Sequence, residues 1–155
     1  MSAKKLQFKP VHCAVDIKRE IVFEPKGQDT VPEGERLRYT LKPPNKMLLE
    51  KVQNSEVEMS MEVAGDTHRG RVNAGTTRRL LLTNCLTGWS GLWRLVDGAQ
   101  DEYEEVVFER PPAQPGSQAF EDAMRRNYEQ VPEADVSEMV KLLRDRESKE
   151  TVEKN

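Results

Sequence analysis

Apolar and polar residues alternate in the N-terminal part of the chain, and a period of two is typical of a β-strand with one buried face. Residues 11–17 and 36–41 both show this alternation, and the apolar run Ile21–Phe23 lies between them. A polar loop with proline and glycine separates Ile21–Phe23 from residues 36–41. The pattern predicts a small antiparallel sheet of three short strands.

The most apolar stretch of the chain is TTRRLLLTNCLTGWSGLW, residues 76–93. Its leucines recur on successive turns, which predicts a helix that is capped by Thr76 or Thr77 and ends at Gly88 in the left-handed conformation. Both tryptophans of the chain, Trp89 and Trp93, follow at once. We expect this Leu-rich helix to be central to the core. The rings either pack on it or form a partner-binding surface with Leu92, since tryptophan is frequent at the centre of interfaces.

The segments around this helix carry weaker signals. Asn45 can cap a short helix that continues to Val52. Residues 57–63 alternate apolar and polar positions, which favours a strand, although methionine and glutamate are also good helix formers. Residues 65–75 are rich in glycine and charge and predict a loop, and Asp97-Gly98 predicts a turn.

The C-terminal part of the chain predicts two helices after a proline-rich linker. Ser117 can cap the first helix, and the second helix is expected to begin near Asp135. The second helix carries an apolar stripe that includes Met139, Leu142 and Leu143. We expect this stripe to bind a partner or a second copy of the chain.

These patterns together predict an α+β fold, in which the small N-terminal antiparallel sheet packs with the central Leu-rich helix and a C-terminal helical pair follows. The expected organisation is a core domain over residues 1–110, a linker over 111–116 and helices over 117–144. Residues 145–155 are almost wholly polar, and we favour a tail over an extension of the helix.

The charge balance argues against a strong electrostatic field. Lys and Arg number 24 against 27 Asp and Glu, with a net charge of −3 and both signs interleaved, so nothing favours DNA or an anionic membrane. No apolar run is long enough to span a bilayer, and MSAKKLQFKP lacks the apolar core of a signal peptide. We expect a cytoplasmic protein without a membrane segment.

No motif of the sequence predicts catalysis. His12 and Cys13, with His68 and Cys85 elsewhere, match no zinc-binding spacing. The acidic run at 101–105 is typical of a solvated surface. We therefore expect a protein that is not an enzyme and has no metal or cofactor.

One local basic cluster suggests an alternative function. Arg69, Arg71, Arg78 and Arg79 lie in and just after the predicted loop, where a helix N-terminus could help them to bind phosphate. The alternative is a small nucleic-acid-binding regulatory protein, although the charge balance makes nucleic acid the less favoured partner.

The order of elements resembles the tail assembly chaperones of long-tailed bacteriophages. A strand ending in YTLKPP leads to a short helix, a Leu-rich helix reads into NCLTGWSGL, and an Asp-Gly turn, VVF, a proline-containing break and two helices follow. The matching positions are Thr40, Leu41, Pro43, Gly88, Trp89, Gly91, Leu92, Asp97, Gly98 and Phe108. The resemblance covers residues 36–145. The N-terminal hairpin, Trp93, the acidic run and the linker do not belong to the family pattern.

The resemblance implies a non-enzymatic protein of the host cytoplasm that is absent from the finished virion. Such proteins bind the tape measure protein, the tail tube protein or both before the tail polymerises, and they often self-associate. They are often made in two lengths by a ribosomal frameshift, which here would extend a minor product beyond Asn155.

Overall fold

The protein has an α+β fold, as the sequence predicts. The computed structural model describes residues 4–12, 14, 19–62 and 69–152, without the side chains at 56–62, 69–74 and 146–152. Within these ranges the elements are β1 (Ile21–Phe23), a 3-10 turn (Glu33–Glu35), β2 (Arg38–Leu41), α1 (Lys46–Glu62), α2 (Arg69–Cys85), β3 (Leu86–Ser90), β4 (Trp93–Leu95), β5 (Tyr103–Glu105), α3 (Gln118–Gln130) and α4 (Glu133–Val152).

A three-stranded antiparallel sheet, in the order β1–β2–β3, forms one side of the core. Tyr39 and Leu41 of the middle strand are buried, which confirms the alternation seen in the sequence. The third strand is contributed by β3, which follows α2. The predicted strand at 11–17 lies largely outside the described residues, and the described Val11, His12 and Ala14 are exposed and belong to no strand.

Helix α1 begins as predicted but is much longer. The Asn45 side-chain oxygen accepts a hydrogen bond from the Leu48 backbone N–H at 2.8 Å, which caps the helix N-terminus. The helix then continues to Glu62, so the strand predicted over residues 57–63 is wrong for all but its last position, which is not described. The alternation there is made of Met, Val, Glu and Ser, and the helical propensity of Met and Glu prevails.

Helix α2 is displaced toward the N-terminus relative to the prediction. It begins at Arg69, within the expected loop, and it ends at Cys85 rather than at Gly88. Gly88 lies inside β3 and does not have the left-handed conformation. The backbone N–H of Lys42 donates to the Cys85 carbonyl at 2.8 Å, so the chain passes from helix into sheet pairing without a loop.

The C-terminal helices follow the predicted caps and stripes. Ser117 Oγ accepts a hydrogen bond from the Phe120 backbone N–H at 3.2 Å and caps α3. Helix α4 continues past Arg144 to Val152, so the preference for a tail is wrong and the chain forms the helical extension instead.

One apolar core unites the sheet with all four helices of the described residues. Its buried residues are Ile21, Tyr39, Leu41, Leu48, Val52, Leu81, Leu82, Cys85, Leu86, Met124, Val131, Val136, Met139, Val140 and Leu143. The C-terminal helices therefore complete the core to which the sheet and the Leu-rich helix belong.

None of the helices in the described ranges combines the length and the apolar character needed to cross a membrane.

Candidate functional site

The two tryptophans, four residues apart, have different environments. Trp89 lies in β3 and is half-buried in an aromatic cluster. Its ring contacts Phe108 edge to face at a centroid distance of 5.0 Å and Tyr39 at 6.4 Å, and Tyr39 stacks on Phe23 at 6.1 Å. Trp93 lies in the next strand and is 55% exposed. Trp89 therefore belongs to the scaffold, and Trp93 belongs to the surface.

Strands β4 and β5 form a separate two-stranded antiparallel hairpin. Trp93 is opposite Glu105, and Leu95 is opposite Tyr103. Opposite residues of an antiparallel pair, and residues two apart on one strand, share a face. Trp93, Leu95 and Tyr103 thus share one face with Glu105, and the three apolar side chains are 55%, 47% and 62% exposed. We call this the hairpin face.

Both sides of the hairpin are solvated. All six residues of β4 and β5 are exposed, and on the side opposite the hairpin face Arg94 Nε donates to Glu104 Oε1 at 2.5 Å. A two-stranded hairpin alone is only marginally stable in water. The hairpin therefore depends on its attachment to the rest of the fold and leaves three large apolar side chains uncovered.

Hydrogen bonds to main-chain carbonyl groups hold the base of the hairpin. The Val106 backbone N–H donates to the Leu92 carbonyl at 2.8 Å. The Trp89 indole N–H donates to the Val106 carbonyl at 2.6 Å. The Leu92 side chain, directly before β4, is buried, so the start of the hairpin is anchored to the rest of the fold.

Gly91 allows the chain to turn from β3 into the hairpin. Its φ is +76°, and a Cβ there would lie 2.8 Å from the Arg36 carbonyl oxygen and 2.9 Å from the Glu35 carbonyl oxygen. A side chain would clash with the backbone before β2, and the left-handed conformation itself favours glycine. At the other end, Gly98 has a φ of +81° in the turn, which the Ala99 N–H closes by donating to the Val96 carbonyl at 3.1 Å. This confirms the predicted Asp97-Gly98 turn.

The hairpin face is surrounded by negative charge. Arg94 is the one basic residue between residues 93 and 107, and it pairs with Glu104. The acidic residues of this stretch are all exposed or half-exposed: Asp97, Asp101, Glu102, Glu104 and Glu105. Such a surface complements a partner that is apolar and carries basic side chains.

Most of the residues predicted to bind a partner are buried or half-buried, and Trp93 is exposed. Leu92, Met139 and Leu143 are buried at 5%, 0% and 1% exposure, which corrects their assignment to a surface. Leu142 is half-buried against the core. An apolar stripe in the sequence has the same appearance whether the chain itself or a partner covers it.

Sequence reasoning missed Leu95 and Tyr103. The signal was present, because alternating residues on both sides of an Asp-Gly turn predict a hairpin. The aromatic and apolar positions on the two sides of that turn would have shown one shared face.

The nucleic-acid alternative depends on a basic cluster of which the structure describes the side chains of Arg78 and Arg79. Because α2 begins at Arg69, Arg78 and Arg79 lie well inside a helix and not at its N-terminus. Arg78 forms an ion pair with Glu133, while Arg79 is exposed on another surface. The side chains of Arg69 and Arg71 are outside the part of the chain that the structure describes.

Cys85 is a free thiol in the core, and burial raises its pKa to about 12. A thiol with a raised pKa is a poor nucleophile. Cys13 and His68 lie outside the described residues, and His12 is exposed. Within the described ranges, no group of three or more His, Cys, Asp or Glu side chains is arranged to hold a metal ion.

Comparisons of the chain with known protein families, with curated proteins and with solved structures find no match. An exposed apolar face on a solvated hairpin, surrounded by carboxylates, suits the binding of a protein segment that is apolar and basic.

Proposed function

We propose that this chain is a non-enzymatic protein-binding factor, and specifically a phage tail assembly chaperone that binds the tape measure protein, the tail tube protein or both before the tail polymerises. The observation that supports binding is the exposed hairpin face of Trp93, Leu95 and Tyr103. The resemblance of the motifs around Thr40 and Gly88 to that chaperone family supports the tape measure and tail tube proteins as the candidate clients.

The physical task of such a chaperone suits this surface. A client that polymerises or is long and helical exposes apolar side chains before assembly, and these need a temporary apolar cover. Trp93 and Tyr103 are the residue types that most often anchor an interface. The carboxylates around them keep the complex dispersed and favour basic segments of the client.

Co-expression with the candidate client tests the proposal. A tagged copy of this chain should keep the tape measure or tail tube protein of the same genome in the soluble fraction and co-purify with it. The double substitution Trp93→Ser and Tyr103→Ser should weaken this binding by roughly tenfold or more, because truncating an anchor residue costs about 2 kcal/mol or more. Co-purification with neither client would contradict the chaperone role.

Val22→Thr is the matched control, because Val22 is 60% exposed on β1, in the other sheet. It removes exposed apolar surface of similar kind and should leave client binding unchanged. If the hairpin variant binds the client as well as the Val22 variant does, the hairpin is not the binding surface.

A salt titration separates this function from nucleic-acid binding. Contacts to phosphate weaken steeply with salt, by about one decade in affinity per contact per decade in salt. Client binding through the hairpin face should lose much less affinity over the same range, because its anchors are apolar and salt screens only the contribution of the surrounding carboxylates.

A further inference from the structure

A second surface of the molecule has the opposite character to the hairpin. A cleft of about 540 Å³ lies between α1, α2, α3 and the chain that precedes α3. Leu80, Pro115 and Phe120 supply apolar lining, and both Leu80 and Phe120 are half-buried against the core with part of their surface left open.

Three cations from three different helices surround this cleft. Lys51 lies on α1, Arg79 on α2 and Arg125 on α3, and all are exposed. Glu121 is the one carboxylate of the lining. Among the side chains that the structure describes, none of the three cations forms an ion pair, whereas the neighbouring residues Arg78 and Arg126 both do. The cleft therefore carries positive charge that the described part of the fold does not neutralise.

We propose that the hairpin of a second copy of this chain occupies the cleft. Trp93 and Tyr103 would contact the apolar lining, and the carboxylates of residues 101–105 would meet the three cations. Each surface supplies what the other lacks, since one is apolar and acidic and the other is apolar and basic. Complementary charge of this kind steers association and fixes its orientation.

The hairpin occupies the cleft of another copy because its own cleft lies on the far side of α3. Arg126 and Gln130 line the depression at the base of the hairpin, and Glu121 and Arg125 line the cleft. Residues of a helix are about 100° apart, which places these two pairs on different sides. Asn127 fixes the chain after the hairpin to the side of α3 that carries Arg126 and Gln130. The Glu109 N–H donates to Asn127 Oδ1 at 2.9 Å, and Asn127 Nδ2 donates to the Glu109 carbonyl at 2.8 Å.

Such a contact is heterologous, because each copy offers one hairpin and one cleft. Repetition gives a ring or an open chain, and association grows with concentration. The client proposed above would compete for the same hairpin face. Self-association is measured without any client, so its failure is distinguishable from a failure of the chaperone role.

Two variants test the contact by complementation. The cleft variant carries Arg79→Glu and Arg125→Glu, and the hairpin variant carries Trp93→Ser and Tyr103→Ser. In sedimentation velocity the native chain should gain mass as its concentration rises, while each variant alone should remain monomeric. An equimolar mixture should form a one-to-one dimer, because the first variant keeps a hairpin and the second keeps a cleft.

Lys141→Glu on the exposed side of α4 and Val22→Thr on β1 are the matched controls, and both should associate like the native chain. A native chain that stays monomeric at all concentrations overturns the proposal. The proposal is also overturned if either variant still associates on its own, or if the mixture of the two variants stays monomeric. Thermal melting verifies that each variant is folded, and Lys51→Glu and Leu95→Ser replace any that is not.

Discussion

The Tyr39 hydroxyl donates a hydrogen bond to Asp135 Oδ2 at 2.7 Å, across 96 residues of sequence. Tyr39 lies in the middle strand with its side chain fully buried, and Asp135 lies in the first turn of α4. Burial, and then the Asp135 carboxylate, raise the pKa of Tyr39. A carboxylate in the first helical turn also interacts favourably with the helix dipole. This bond attaches the last helix to the sheet.

Tyr39→Phe should therefore destabilise the fold while its packing is kept. A hydrogen bond to a charged group contributes about 1.5–3 kcal/mol, and we expect a loss of this size in urea denaturation. Tyr103→Phe is the control, since the Tyr103 side chain is 62% exposed and should lose almost nothing. Equal stability of the two variants would show that the Asp135 contact contributes nothing.

Deletion of residues 117–155 should abolish cooperative unfolding. It removes Met124, Met139 and Leu143 from the core and exposes Leu81 and Leu82, which are less than 2% exposed in the native chain. Thermal melting followed by circular dichroism measures the effect.

A shorter deletion, of residues 146–155, is the matched control, because it leaves the buried core residues in place. It should melt cooperatively. A cooperative transition in the longer deletion would mean that residues 1–116 form an independent domain after all.

Gly91→Ala should destabilise the protein by about 1–3 kcal/mol or more, because a left-handed backbone is strained for alanine and its Cβ would lie 2.8 Å from the Arg36 carbonyl oxygen. Gly88→Ala is a close control, since Gly88 lies in a strand and a Cβ there would have no neighbouring atom within 4 Å. Urea denaturation of both variants checks the difference. Similar midpoints would contradict the close approach at the base of the hairpin.

Alkaline pH should destabilise the fold through Cys85. Its pKa is raised from 9.0 to about 12 by burial, so the unfolded chain loses this proton first as the pH rises. The stability that the neutral thiol contributes is present below pH 9 and is lost between pH 9 and 12, at up to about 1.4 kcal/mol per pH unit.

Urea denaturation at several pH values measures this slope, in a Cys13→Ser background that leaves Cys85 as the one thiol. Cys85→Ala lowers stability at every pH by opening a cavity, yet its slope above pH 9 should be shallower. The burial of Tyr39 and Tyr128 also raises their pKa values, so part of the slope remains. An unchanged slope would contradict the role of the thiol.

The local signals of the sequence were sufficient for much of the fold. The period of β2, the Asn45 and Ser117 caps and the stripes of the last two helices all predicted elements that the structure has. Each depends on residues within a few positions of one another, which a single segment carries. The change from α2 to β3 has no such signal, because LLLTNCL runs across the boundary at Cys85 and Leu86 without a glycine or proline. Strand β3 forms by pairing with β2, in which Leu41 is opposite Leu86.

The site was only partly predictable for a related physical reason. Tryptophan marks a candidate interface by its type, and Trp93 is indeed exposed, but burial depends on what lies opposite in space. Met139 and Leu143 have the apolar character of a binding stripe and are covered by their own fold. Arg79 and Arg125 are far apart in sequence, and only the packing of α2 and α3 brings them to one cleft.

The contacts that anchor the hairpin leave the side chains of the hairpin face free to diverge in sequence. Its base is held by the Val106 and Leu92 backbones and by the Trp89 indole, and none of these uses a side chain from residues 93–105. Mutations on the hairpin face should therefore cost little fold stability, and under the proposed function they would change which partner is bound. The same separation makes the hairpin a natural graft site, where a foreign strand–turn–strand sequence can be exchanged to redirect the protein to a new target.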